Sequence, residues 1–600
     1  MAVKQNIFRV RRSYNQWVAN QTLEDYALRF TAKSARRWSA ARVSHTALGA
    51  ISFLAMEAIG GSITLHYGFD NAVAAILAVS LVIFLTAIPI SYYAARYGVD
   101  IDLLTRGAGF GYIGSTITSL IYASFTFIFF AIEAAIMAMA LEMLFAIPLV
   151  LGYLICAVVI IPLVTHGITT ISRFQVWTQP LFILLQLAPF VFIIYADVSS
   201  ITDWTQFQGV GLPADNGFDL LLFGAAAAVV FSLIAQIGEQ VDFLRFIPEP
   251  TNAPERRRWW VAVMAGGPGW IVIGMVKILA GSFLAVLALN QGISATEAAD
   301  PTQMYLVAFN YITHSPELSL AMAGIFVILC QIKINVTNAY AGSIAWSNFF
   351  SRLTHSHPGR VVWLVFNVAI ALLVMELGVY RALEETLGFY GIVAIAWVGA
   401  LVADLVINKP LGLSPAHIEF KRAHLYDINP VGVGAMITAS VVGITCHTGV
   451  LGDYAQALSH FIALAVALIT APLIAWKTGG RFYTARPFVP LATDHQLVGC
   501  SICEHRFEPE DVTHCPAYDG AICSLCCSLD ARCEDACKPG AGYQEQMQQF
   551  LGRFLPAPLL SALRSRLGHF LSLLVVINGF SALLLSLIYF KTPVASLAEA

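Results

Sequence analysis

The stretches SFLAMEAIGGS (Ser52–Ser62) and SLIAQIGEQ (Ser232–Gln240) decide how this chain is read. Both lie in apolar surroundings, yet each sets a carboxylate beside glycine: Glu57 ahead of Gly60 and Gly61, and Glu239 after Gly238. A charged side chain at the centre of a bilayer costs about 2.5–3.5 kcal/mol on insertion scales, and it is ordinarily paired or functional. Interrupted helices at matching places in two halves are how transporters build a substrate site at the bilayer midplane, because the freed backbone groups face a cavity. Five spans separate the two stretches. They therefore predict two repeats, about 45–197 and 217–407, with discontinuous helices 1 and 6. The competing reading is that these glycines only let helices approach closely.

Working outward, 58% of the 600 residues are hydrophobic and 12% are charged. Soluble domains average roughly 45–50% apolar and 25% charged. The apolar residues fall in blocks near the roughly 20 that cross a bilayer as a helix. Spans are expected near 45–68, 72–95, 113–143, 145–165, 175–197, 217–247, 259–290, 316–350, 361–379, 387–407, 431–450 and 455–476, with a thirteenth near 567–590. The class is all-α polytopic membrane protein. The net charge of −3 argues for no polyanionic partner, nucleic acid included.

Basic residues sort to alternate loops: Arg96 and Arg106; Arg173; Arg245 with Arg256, Arg257 and Arg258; Arg352 and Arg360; Lys409, Lys421 and Arg422; Lys477, Arg481 and Arg486. By the positive-inside rule this places the N-terminus and residues 477–566 in the cytoplasm. The expected organisation is a basic tail (1–44), a ten-helix core (45–407), a linker with helices 11 and 12 (408–476), a cysteine-rich module (477–545), and an amphipathic segment with helix 13 (546–600). Thr22–Ala41 reads as a surface helix or, equally, as part of a disordered basic tail. Thirteen spans leave the C-terminus outside soon after the last helix, so either the expected count is one span off or the chain ends where a longer relative would continue.

Glu57, Glu133, Glu239 and Lys333 all fall inside expected spans, whereas Lys277 and Asp404 lie nearer span ends and read as structural. Span eight is the most polar, CQIKINVTNAYAGS (Cys330–Ser343). Its Gln331, Asn335 and Asn338 recur every three or four residues and so share a helix face. Carboxamides there can bond the edge of a heterocycle or a neighbouring helix.

These residues resemble the purine–cytosine permease family, the nucleobase–cation symporters that include hydantoin and allantoin transporters. The resemblance covers about 20–476. It is carried by DFLRF (Asp242–Phe246), by NVTNAYAGS (Asn335–Ser343), and by Phe129 placed four residues before Glu133, where relatives have a glutamine. It implies a five-plus-five inverted repeat with two extra helices and cation-coupled import of a heterocyclic small molecule. The implied substrate-binding residues are Phe129 as a stacking ring, with Glu133, Gln236, Gly238, Glu239, Asn335 and Asn338 around the pocket; Glu57, Lys333 and Thr337 are the expected coupling residues. Two departures bear on this. Glu133 replaces an amide, which asks for a ligand with donors or a cation. Lys333 puts an ammonium near the sodium ligands of relatives, so a proton, or no ion, would replace sodium.

Eight of the 11 cysteines lie between 500 and 537: Cys500, Cys503, Cys515, Cys523, Cys526, Cys527, Cys533 and Cys537. Cys500-x2-Cys503 and Cys523-x2-Cys526 each place two thiolates on one tight turn, half of a tetrahedral site, and the gap between them suits a zinc ribbon. A second site would use Cys515, Cys527, Cys533 and Cys537. Two structural zinc ions are expected, with an iron–sulfur cluster as the alternative. Disulfides conflict with a reducing compartment. Cys156, Cys330 and Cys446 read as packing residues.

No nucleophile–base arrangement or open metal site points to an enzyme. The alternative to a carrier is a permease-like sensory input domain of the sensor-kinase type, binding the same ligand and signalling to a cytoplasmic partner through the module. The chain carries no kinase phosphate-binding loop and no phospho-acceptor helix.

Overall fold

A computed structural model describes residue 18, residues 26–213, 217–378, 383–489, 491, 496–530 and 532–556, and scattered positions from 558 to 579. The helices that follow the expected spans are α1 (Ala40–Gly49), α2 (Ala55–Tyr67), α3 (Phe69–Tyr97), α4 (Ser115–Phe145), α5 (Leu149–Thr165), α6 (Ile168–Ala196), α7 (Leu220–Phe231) and α8 (Ile237–Leu244). They continue as α9 (Ala253–Gly266), α10 (Gly269–Asn290), α11 (Pro301–Asn310), α12 (Pro316–Thr354), α13 (Arg360–Glu376), α14 (Leu383–Ala403), α15 (Pro430–His447) and α16 (Ser459–Thr478). Among the described residues, 9 helical stretches are long and apolar enough to cross a membrane. The expected thirteenth span lies, apart from scattered positions, outside the described residues.

Local chemistry sets the helix starts. Asp219 accepts bonds from Leu221 N and Leu222 N to cap α7. Ser315 and Asn429 cap α12 and α15 ahead of Pro316 and Pro430. A side-chain oxygen at this position satisfies amides that have no partner in the first turn, and proline at the first helical position has no amide to lose.

Span one is broken, but not where its glycines suggested. The interruption is residues 50–54, between α1 and α2, while Gly60 and Gly61 lie inside α2. A Cβ on Gly60 would sit 1.9 Å from the carbonyl oxygen of Ile278, and one on Gly281 would sit 2.2 Å from Glu57 Cα. The glycines therefore let α2 and α10 touch backbone to backbone. Span six likewise narrows into a 3-10 turn at Ser232–Gln236, ahead of Gly238. A Cβ on Gly238 would meet the Tyr122 ring at 2.3 Å. In both spans the close-packing reading of glycine holds, and the irregular backbone lies N-terminal to it.

Residues 26–39, part of the expected surface helix, form a turn and a 3-10 segment (Lys33–Ala35) instead. Arg36 anchors this segment, donating to the carbonyls of Thr31, Arg96 and Tyr97.

The cysteine-rich stretch folds as two small hairpins and a helix. Strand β1 (Val498–Gly499) pairs with β2 (Arg506–Phe507), and β3 (Val512–Cys515) with β4 (Gly520–Cys523), both antiparallel; α17 (Ser524–Leu529) follows. Its small core combines six cysteines with Val18, Leu28, Ala423, Ile502, Tyr518, Ile522, Leu525 and Leu529. Residues 539–600 form a second compact unit, in which α18 (Tyr543–Leu551) is described.

Candidate functional site

The interruption of span one leaves the first amides of α2 without helical partners, and buried amides must find acceptors. Glu133, on α4, supplies them. Its carboxylate accepts from Leu54 N and Ala55 N at 3.2 Å each. An anion at a helix N-terminus also meets the positive end of the helix dipole. Glu133 was expected to read a ligand edge; the structure gives its oxygens to the break itself. Ser52, within the break, donates to Cys330 O on α12 at 3.0 Å.

Glu57 and Lys333, expected to share one coupling role, occupy separate clusters. Glu57 pairs with Lys277 at 2.6 Å, and Tyr305 donates to the same carboxylate oxygen at 3.0 Å. Lys277 also donates to Ser52 O in the break and to Gln186 Oε1, both at 3.3 Å. Lys333 donates instead to Gln175 O and Thr178 Oγ1 on α6, at 3.2 and 2.9 Å. The Phe182 ring joins the two clusters, its centroid 5.7 Å from the Lys277 ammonium and 5.8 Å from that of Lys333. Both contacts are within cation–π range. Lys277 was read as structural from its place near a span end. Gly267 and Pro268 split span seven, and Lys277 falls midway along α10. Its place near the middle of the expected span 259–290 was the available signal.

The third group spans α8 and α12. Gln236 donates to Glu239 Oε2 at 2.9 Å, Thr337 lies beside Glu239, and Asn338 donates to Asn335 Oδ1 at 3.3 Å. Around these bonds several buried polar atoms have no protein partner: both amide atoms of Gln240, Asn335 Nδ2 and Asn338 Oδ1. Asp242 Oδ1 is also unpartnered, while Tyr122 donates to Oδ2 at 3.4 Å. Native interiors tolerate few such atoms, and each one asks for a ligand, a water or an ion. Gly238 contributes close packing against Tyr122. Phe129 joins an aromatic row, 4.5 Å from Phe125 and edge-on to Phe53 in the break at 6.4 Å. The Phe129 ring thus abuts the interruption.

These groups are all buried. An open cavity of about 1140 Å³ lies instead where the cysteine module meets the helices; Phe30, Arg36, Trp259, Lys421 and Phe488 are among its lining residues. Its charges are largely satisfied by one another and by backbone, as in Lys421 with Glu419 at 3.2 Å and Arg36 with Glu249 at 3.4 Å.

In the module, the sulfurs of Cys500, Cys503, Cys523 and Cys526 all lie within 4.8 Å of one another, and all four residues are buried. Backbone amides point at them. Ile502 N and Cys523 N donate to Cys500 Sγ at 3.5 and 3.4 Å, and Cys526 N to Cys523 Sγ at 3.4 Å. The neighbouring sulfurs hold Cys500 below the ordinary thiol range. Four converging sulfurs with amide donors are the donor set of a closed tetrahedral metal site. The other predicted set is looser. Cys515, Cys527, Cys533 and Cys537 neighbour one another, and burial pushes the Cys537 thiol up to about 11. Among the described residues only the first set draws its ligand atoms that close. Adjacent Cys526 and Cys527 on α17 face the two sets separately.

Comparison with known proteins bears on the whole helical part. Residues 31–468 match the profile of a family described as permease for cytosine/purines, uracil, thiamine, allantoin. Among solved structures, the chain is similar to Mhp1, a nucleobase-cation-symport-1 family transporter, in a closed conformation with bromovinylhydantoin bound: 15% identity, TM-score 0.58, covering 77% of this chain and 96% of that one. Against the inward-facing conformation of Mhp1 the values are 15%, 0.54, 80% and 100%. Against a substrate-bound, outward-open Na+-coupled sialic acid symporter they are 15%, 0.50, 76% and 94%. At that identity the likeness establishes a fold: an inverted-repeat transporter core. No curated protein matches the sequence.

Proposed function

Because the chain belongs to the family of membrane permeases for cytosine/purines, uracil, thiamine and allantoin, we propose that it is a secondary transporter of a nucleobase-like nitrogen heterocycle, working by alternating access around the α8–α12 carboxamides. One observation carries this reading: the unmade hydrogen bonds of Gln240, Asn335 and Asn338 are buried beside the Gln236–Glu239 pair. A heterocycle edge offers alternating donors and acceptors that would complete them. Phe129 would stack the ring beside the span-one break, with Asn338 bonding its edge. Glu133 serves the site by fixing that break.

Coupling would not use sodium. Lys333, held by Gln175 O and Thr178, would be a fixed ammonium near the position where the resemblance puts sodium ligands, and Lys277, held by Glu57 and Ser52 O, a second one beside the span-one break. That leaves proton coupling or none. The Cys500–Cys503–Cys523–Cys526 set would hold one structural zinc ion, and a chain of this basic pattern would keep the module in the cytoplasm of a cell with an inner membrane.

The test is uptake into proteoliposomes of labelled cytosine, uracil, purines, hydantoins and allantoin, with and without sodium and proton gradients. Saturable uptake of one class, indifferent to sodium, is expected. Saturable binding with no flux under any gradient would overturn the carrier in favour of a ligand sensor. Clear sodium stimulation would overturn the tethered-ammonium coupling.

A further inference from the structure

The module sits on the ends of the transport helices through buried ionic contacts, and these lead in a chain from the four-sulfur set to the ion pairs that close this face. Cys526 belongs to the set. The next carbonyls on α17 and beyond, Cys527 O and Asp530 O, accept from Arg422 Nη1 at 3.2 and 3.1 Å, while Arg422 Nη2 meets Asp535 Oδ2 at 2.9 Å. Lys538, the last residue of the module's compact unit, is buried and pairs with Asp427 at 2.6 Å. His355, just past the end of α12, bonds Ser528 O on α17 at 3.1 Å, and His424 bonds Thr513 on β3 at 2.8 Å.

The residues gripped in this way hold the α3–α4 connection in turn. Tyr426 O and Asp427 O accept from Tyr112 N, Ile113 N and Gly114 N at 2.7–2.9 Å. The Tyr112 ring lies between the Arg422 and Lys538 cations, at 5.8 and 5.7 Å. Arg352, near the end of α12, donates to Tyr112 O at 3.3 Å and lies 3.6 Å from Asp102; Arg245, after α8, lies 3.7 Å from Asp100. Residues 100–114 are therefore bonded directly to 421–427 and to Arg352, while the module grips the two stretches that hold them, 421–427 and the end of α12 at His355.

The module's core is small: six cysteines and five other residues of its own, with Val18, Leu28 and Ala423 added from outside it. A segment of that size lacks the apolar burial to fold alone, and metal ligation supplies the missing free energy. Resting on the metal site read above, we propose that metal bound by Cys500, Cys503, Cys523 and Cys526 acts as a latch on the module-side gate. Metal-loaded, the module pins the α3–α4 connection to α12 and to residues 421–427. Metal-free, it releases them, so that this face opens more readily.

The test uses the full-length protein in detergent or nanodiscs, with metal content measured beside hydrogen–deuterium exchange. The expected results are one tightly bound zinc per four-sulfur set and, after chelation, exchange at 99–114 and 350–358 faster by roughly threefold or more, because local opening sets exchange of such amides. Since chelation could unfold more than the latch, Arg422→Gln supplies a second arm. It leaves every sulfur in place, so metal content should stay at the wild-type level while the same two stretches exchange faster. A protein that binds no metal overturns the metal reading itself. A protein that binds and loses metal with unchanged exchange at 99–114 and 350–358, or an Arg422→Gln variant that retains metal and exchanges like the wild type, overturns the latch and leaves the metal site standing.

Discussion

The first and sixth spans are both irregular, yet they treat their buried polar groups in opposite ways. At the span-one break the protein completes most of its own bonds: Glu133 takes the amides of Leu54 and Ala55, and Lys277 binds both Glu57 and Ser52 O, with Glu57 Oε2 left open. Between α8 and α12 it leaves them open, at Gln240, Asn335 and Asn338. Since an unmade buried hydrogen bond costs about 1–3 kcal/mol, the contrast separates a self-satisfied hinge from a site built for something else. Substitutions at the hinge should therefore damage the fold first, and those at the open site should damage binding first.

The largest effect should come from Lys277→Met, which strands Glu57 in the interior. Removing one partner of a buried pair costs about 3–5 kcal/mol, so little monodisperse protein should survive extraction. Lys277→Met combined with Glu57→Gln should recover much of it, and a double variant as unstable as the single one would break the hinge account. Next in size is Glu133→Ala, expected to lower stability by about 1–3 kcal/mol through two stranded amides, read as a lower midpoint of thermal aggregation. Glu133→Gln keeps one acceptor oxygen and should fall between. Gly60→Ala should destabilise by a similar amount, about 1–3 kcal/mol from overpacking, because its Cβ would collide with Ile278 O; an unchanged midpoint would return Gly60 to the role of helix breaker. The smallest effect is a null one. Replacing sodium by choline should leave uptake unchanged in the wild type, and sodium stimulation that appears only in Lys333→Met would sharpen the tethered-ammonium reading.

Hydropathy made the helices legible, since a bilayer enforces length and polarity on every span. It could not place the interruptions. Gly60, Gly61 and Gly238 look the same in sequence whether they break a helix or let two helices touch, and only the partner backbones of Ile278 and the ring of Tyr122 decide between these. Glu133 was legible as a buried carboxylate but not as a cap, because the amides it serves are about 80 residues away in the chain. Lys277 was missed although it lies mid-span, because its partner Glu57 is 220 residues away in the chain. The four-sulfur set was readable because each Cys-x2-Cys turn is local; the second set contains no such turn and is not gathered as closely.

The most direct measurement pairs ligand affinity with thermal stability for Asn338→Ala, using whichever heterocycle the wild type binds. The unpartnered Asn338 oxygen predicts affinity weakened by roughly tenfold or more, since one buried hydrogen bond is at stake, with the melting midpoint unchanged or slightly raised. Wild-type affinity in that variant, or a loss of stability like that of Glu133→Ala, would contradict the account.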